Sequence, residues 1–187
     1  MTIKNFDGGL DLTGSSPVPV YVGIDQSYSG FAITLLGDDN AFLTQVFKSD
    51  LRGIDRLVEI RLFLSNFLFD MPIKILDVAM EDYAYAGSGR VFHLGELGGM
   101  VKLECHDAGH YPLLVPPTSL KKYVTGKGTG IQKNQMLLHI YKKWGVEFTD
   151  DNAADSYSLA RVVSGKHELA YEKDVYDKLQ DVKHRER

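Results

Sequence analysis

The sequence predicts an α/β fold in which a mixed five-stranded sheet is flanked by helices. Three observations carry that expectation. Three β-rich runs follow one another with short turns, which makes an antiparallel meander. Beyond them strand and helix patterns alternate, the order that gives parallel pairing. A chain of 187 residues fills one hydrophobic core rather than two.

Residues 18–25 (VPVYVGID), 30–36 (GFAITLL) and 41–47 (AFLTQVF) form the meander, with GDDN at 37–40 as a hairpin turn. Residues 54–69 switch to a helical period, and Ile54, Leu57, Val58, Leu62, Leu64, Phe67 and Leu68 give a broad apolar face. Residues 74–81 (KILDVAME) are the fourth strand. A helix over 91–107 carries Gly95, Gly98 and Gly99, which permit close approach by another element. A short strand at 111–115 stops at Pro116 and Pro117. Thr118 suits the cap of a short helix over 118–124, and further helices cover 132–144 and 151–164, where Asp151 suits the N-cap. Residues 1–17 read as a flexible polar arm. Residues 166–187 read as a charged helix or tail of low stability. The order over 18–165 is ribonuclease H-like, and an architecture alone leaves the chemistry open.

Hydrophobic residues at 44% suit a soluble domain, and no run of about 18 apolar residues marks a membrane span. The first residues lack the apolar stretch of a signal peptide. Cys105 is the single cysteine, which excludes an internal disulfide and a cysteine-built zinc site and fits a reducing, cytoplasmic setting. The net charge of −4, taken globally, argues against a polyanionic partner, but its distribution argues the other way. No acid lies between Asp107 and Glu147, where Lys121, Lys122, Lys127, Lys133, Lys142 and Lys143 all fall. Acids gather instead at Asp25, at Glu81 and Asp82, and at Asp150, Asp151 and Asp155. Separate acidic and basic clusters suit a protein that holds metal at one place and phosphate beside it.

Asp25 ends the first strand of the meander, Glu81 ends the fourth strand, and Asp155 lies in the last core helix. Side chains at the carboxyl ends of parallel strands meet where ligands bind. Three carboxylates there repel one another unless a cation neutralises them. Hard oxygen donors select magnesium, with manganese as a substitute, and two ions about 3.5–4 Å apart clamp both oxygens of an in-line phosphodiester displacement. Singly, each acid also reads as a turn former or cap. It is their joint placement that points to a nuclease.

The segments GIDQSYSGFA, VAMEDYAYAGSGRVFHLGELGGMVK, PPTSLKKYVTGKGTGIQKNQM and DDNAADSYSLA resemble the RuvC family of Holliday junction resolvases, particularly its phage-like members. The resemblance implies a magnesium-dependent endonuclease that nicks four-way DNA junctions in pairs and leaves 5′-phosphate ends. Asp25, Glu81 and Asp155 would be its metal ligands. The family's fourth ligand falls at Asn152, and Asp151 offers a carboxylate one residue earlier. Lys121 and Lys133 match lysines near the scissile phosphate, and Lys122 and Lys127 are added phosphate contacts. The position where the family usually places an aromatic falls at Ala84, and Tyr83 and Tyr85 on either side of it are the candidates to stack on DNA, with Arg90 at the start of the following helix as a further contact. The family dimerises through the region of Gly95, Gly98 and Gly99, which implies a homodimer. A less selective flap or fork nuclease, and a junction-binding protein with an incomplete site, remain the alternatives.

Overall fold

The computed structural model describes residues 2–83 and 91–185. Its sheet has six strands rather than five, ordered β1-β4-β3-β2-β5-β6. The extra strand is β1, Thr2–Asp7, which pairs antiparallel with β4, Phe42–Lys48, from Thr2↔Lys48 to Asp7↔Leu43. The expectation of a flexible arm is therefore corrected for these residues. TIKNFD lacks an apolar face because it sits at the sheet edge, where polar side chains meet water and only the backbone needs a partner. Phe6 alone turns inward, 5.3 Å from the Phe148 ring.

The meander is as expected. β2 (Val18–Asp25), β3 (Phe31–Gly37) and β4 pair antiparallel in sequence, and Asn40 closes the hairpin with a φ of 70°. Asparagine tolerates that left-handed conformation better than most residues. α1 (Gly53–Ser65) runs on into a π-helical turn, Asn66–Asp70. β5 (Ile73–Glu81) then lies parallel to β2, and after α2 (Val91–Asp107) the short β6 (Leu113–Val115) lies parallel to β5. α3 (Pro117–Thr125) starts one residue before the expected Thr118, because Pro117 supplies a preset φ at the first helical position. α4 (Lys133–Trp144), α5 (Asp151–Val163) and α6 (Ala170–Leu179) complete the chain.

Strand periodicity divides the core between the two faces of the sheet. Phe31, Ile33 and Leu35 point toward Phe63, Leu64 and Leu97 of α1 and α2, while Ala32 and Leu36 point toward α3–α6. α6 is not a loose tail. Val175 and Leu179 are buried, and Glu172 forms an ion pair with Lys143 inside the protein. Burial of the Lys143 ammonium is offset further by the Tyr123 carbonyl, which accepts from it at 2.8 Å.

α5 is buried on nearly every side and lies across β2, β3 and β5. Gly23 makes this possible. A Cβ there would stand 2.0 Å from the Ser156 carbonyl oxygen and 2.4 Å from the Ala160 nitrogen. Alongside, Thr34 Oγ1 lies 2.7 Å from Thr44 Oγ1 and 2.9 Å from Ser156 Oγ, a buried row of hydroxyls that satisfies itself. Gly23→Ala is expected to destabilise the protein by about 3 kcal/mol, at the upper end of overpacking costs, because backbone atoms must give way. The urea midpoint measures this, and an unchanged midpoint would show that α5 moves off the strand without penalty.

Candidate active site

β2 and β5 end side by side, with Ile24 paired to Met80. Asp25 and Glu81 therefore open into one cleft of about 330 Å³, which Asp151, Asn152 and Asp155 enter from the start of α5 and Lys133 from the start of α4. An adjoining recess is lined by Lys121 and Lys133 together with Glu81 and Asp155. The structure thus brings together the three expected acids, both candidates for a fourth ligand, and the two lysines nearest them.

Asp25 is 3% exposed. Burial, then the charges of Glu81 and Asp155, hold its carboxyl well above the usual range, against a hydrogen bond from the Ser27 backbone N–H. Glu81 is pushed up to about 7, chiefly by burial, although a hydrogen bond with Asp25 and the charge of Lys121 oppose the rise. Asp155 is likewise pushed up to about 7 by burial, Glu81 and Asp151, against Lys133 and Lys121. Buried oxygen donors that keep protons near neutrality are short of positive charge, and a hard divalent cation supplies it. In this respect the donor set fits such an ion. As they stand, no three His, Cys, Asp or Glu side chains among the described residues are grouped closely enough to hold one. Asp151 takes the Lys133 ammonium instead.

Local structure decides which acid of α5 is free. The N-cap is Asp150, not Asp151: its carboxylate accepts from the Asn152 backbone N–H at 3.1 Å and from Lys48 Nζ at 3.0 Å. That leaves Asp151 to face the cleft. Asn152 also lines the cleft, but its side-chain amide donates back to Asp150.

Other expected contacts are placed differently. Lys122 turns to α6, where its ammonium meets Asp174 at 2.6 Å, and it lines neither the cleft nor the adjoining recess. Together with Lys143–Glu172 this breaks up the lysine cluster, since acids distant in sequence fold back onto it. Lys127 is exposed outside the cleft. Tyr83 lines the cleft, whereas Tyr85 and Arg90 lie outside the described residues. Gly98 faces inward, because a Cβ there would stand 2.3 Å from the Tyr83 hydroxyl and 2.5 Å from Gln26 Oε1. It packs against its own chain and is removed from the expected dimer surface. Gly95 and Gly99 open onto free space. Burial pushes the Cys105 thiol up to about 12, which makes it inert packing.

Sequence reasoning missed Gln26, Tyr28 and Leu94, all of which line the cleft. Gln26 Nε2 donates to the Glu81 carbonyl at 2.7 Å and ties the ends of β2 and β5 together. Adjacency to Asp25 is the signal that could have drawn attention to the first two.

The fold is ribonuclease H-like. Two solved structures share it: Thermus thermophilus RuvC, with a TM-score of 0.61, 17% identity and coverage of 89% of this chain and 98% of that one, and T. thermophilus RuvC in complex with Holliday junction substrate, with a TM-score of 0.62, 16% identity and coverage of 91% and 98%. At such identities the likeness is one of fold. No protein-family model and no curated protein sequence matches the chain. Among the described residues no helix is long and apolar enough to cross a membrane.

The carboxylate cluster makes a stability prediction. Asp155→Asn removes a buried charge repelled by Glu81 and Asp151, and should stabilise the metal-free protein by roughly 2 kcal/mol at pH 8. Denaturation in the presence of a chelator measures it. A loss of stability would mean that attraction to Lys133 and Lys121 outweighs the repulsion.

Proposed function

We propose that this chain is a structure-selective DNA endonuclease of the RuvC type and of its phage-like branch, resolving four-way junctions by paired metal-dependent nicks. The observation that supports this reading best is the convergence of Asp25, Glu81 and Asp155 in one cleft walled by Lys121 and Lys133. The fold it shares with a RuvC solved on a Holliday junction substrate adds to that reading.

Asp25, Glu81 and Asp155, with Asp151 as fourth ligand, would hold one or two magnesium ions, which activate water and stabilise the leaving 3′ oxygen. The chain's own residues do the rest. Lys121 and Lys133 flank the acids and attract the scissile phosphate, offsetting the charge that grows on it. Gln26 fixes the spacing of the strand ends through the Glu81 carbonyl. Tyr83, with its hydroxyl against Gly98, sets the height of α2 over the cleft.

Paired cutting calls for two sites at a fixed separation, which a two-fold dimer supplies. Phe92 is 83% exposed and Leu103 59%, and with Gly95 and Gly99, at helical spacing, they form an outward stripe on α2. Isologous contact between such stripes buries apolar area that water otherwise covers. The lone, unpaired Cys105 suits a reducing, cytoplasmic setting for this activity.

Incubation with labelled four-way, three-way, flap and linear DNA, with and without magnesium, tests the reading; symmetric paired nicks confined to four-way DNA are expected. Asp25→Asn should abolish cleavage with junction binding retained, and near-normal cleavage would remove the site. Lys121→Ala and Lys133→Ala should each slow cleavage by roughly 10²–10³-fold, whereas Lys122→Ala, already neutralised by Asp174, should change it little. Equal small effects from all three would relegate the lysines to the surface. Asp151→Ala should lose more metal-dependent rate than Asn152→Ala. Leu103→Glu should give folded monomers that nick without a coordinated second cut, as sedimentation and product analysis will show.

A further inference from the structure

We infer that Tyr28 and His93, backed by Arg56, form a stacking platform for an unpaired nucleobase at the mouth of the acidic cleft. The inference rests on the DNA endonuclease reading and adds to it a contact outside the acids and lysines.

Tyr28 lies on the β2–β3 loop, three residues after Asp25, and lines the same cleft as Asp25 and Glu81. Its half-buried ring has two neighbours. The Arg56 guanidinium of α1 stands 4.7 Å from the ring centroid, and the His93 ring of α2 stands 5.6 Å away at a tilt of 31°. Residues from three separate elements thus hold one aromatic surface at the rim.

Arg56 is the unusual member. It is only 6% exposed, and its one hydrogen bond runs from Nη1 to the Ser49 carbonyl at 2.7 Å. Nε and Nη2 are buried with no partner, and no carboxylate of the described residues pairs with it. A buried cation without a counter-charge is costly, and a Leu or Met would fill the space without that cost. What the charge does here is face the Tyr28 ring, a cation–π contact that fixes the ring's position before any ligand arrives. It also leaves net positive charge beneath the ring, beside a cleft that holds Asp25, Glu81, Asp151 and Asp155 as well as Lys133. A ligand that suits both features has a flat π-face and carries negative charge close to it. A nucleotide has both, and its base is free to stack only where it is not already enclosed in a duplex, as at a branch point. Ser27 and Ser29, whose hydroxyls lie 3.3 Å apart on the same loop, add hydrogen-bonding groups beside the ring. On the lysine side of the cleft the protein meets phosphate. On this side it meets a base.

The test uses full-length protein carrying Asp25→Asn, and branched DNA with 2-aminopurine at the branch point. Stacking should quench the probe on binding. Tyr28→Leu should abolish most of the quench and weaken binding to branched DNA roughly tenfold, with binding to plain duplex unchanged, while Tyr28→Phe should retain both properties. His93→Ala alters a side chain that is about half exposed, so the fold is spared, and it should lower the quench measurably. Undiminished quenching in Tyr28→Leu or, should that variant not fold, in His93→Ala, overturns the platform while leaving the endonuclease reading intact. Loss of quench in Tyr28→Phe equal to that in Tyr28→Leu also overturns it, since the ring would then not be the contact. A wild-type chain that neither binds nor cuts branched DNA overturns both.

Discussion

Helix α5 can lie against β2 only because Gly23 carries no side chain. Its bare Cα lets the Ser156 carbonyl and the Ala160 nitrogen come within a distance that any Cβ would occupy. Asp155 immediately precedes Ser156, so the contact that seats the helix also sets an acid beside Asp25. The contact from Ser156 Oγ to Thr34 Oγ1 then helps to fix the helix along its axis, because sliding by one turn would break this buried bond between α5 and β3. Asp150, capped onto Asn152 and tied to Lys48, fixes where the helix begins. One helix seating and one parallel strand pair therefore account for the placement of all the acids in the cleft.

That placement opposes the electrostatic preference of the groups it gathers. Burial raises the proton affinity of Asp25, Glu81 and Asp155, repulsion from neighbouring acids adds to it at Asp25 and Asp155, and Lys121 and Lys133 only partly relieve Asp155. A site poised in this way is stabilised by positive charge from outside the chain. Part of the lysine stretch is neutralised within the chain. Lys122 and Lys143 are matched by Asp174 and Glu172 of α6, which leaves Lys121 and Lys133 as the lysines of that stretch beside the acids. Electrostatic attraction is thereby concentrated at one place on a molecule whose net charge is −4.

Much of this was legible in the sequence, for definite reasons. The strands of the meander are β-rich apolar runs bounded by turn formers, so their extent could be read closely. Asp25 and Glu81 close strands that have apolar residues on both faces, which made them hard to read as ordinary turn residues. What escaped was whatever depends on long-range pairing. β1 is polar because it is an edge, and no local pattern distinguishes such a strand from a loop. The lysine stretch looked uniformly basic because the counter-charges of Lys122 and Lys143 lie about thirty to fifty residues further on. Gly98 and Gly99 are neighbours of one type, yet a helix turns about 100° per residue, so one faces Tyr83 and the other faces outward. Tyr28 lies within GIDQSYSGFA but Arg56 falls in no such segment, and only the packing of the β2–β3 loop on α1 brings them together.

The two margins of the sheet bear on how copies of the chain can meet. β1 offers its free margin with Thr2, Lys4, Asn5 and Asp7 exposed, an edge that hydrates well and resists a second strand. β6 is only three residues long, and Arg185 bridges to Leu113 from the far side while its guanidinium grips Asp77 at 2.6 and 3.0 Å. Neither margin is a good template for continuing the sheet into a neighbour. Strand-to-strand polymerisation, the route by which open sheets run into fibres, is thus obstructed at both ends. The large apolar side chains left exposed lie mostly on helices instead, among them Val58, Leu62, Phe92 and Leu103.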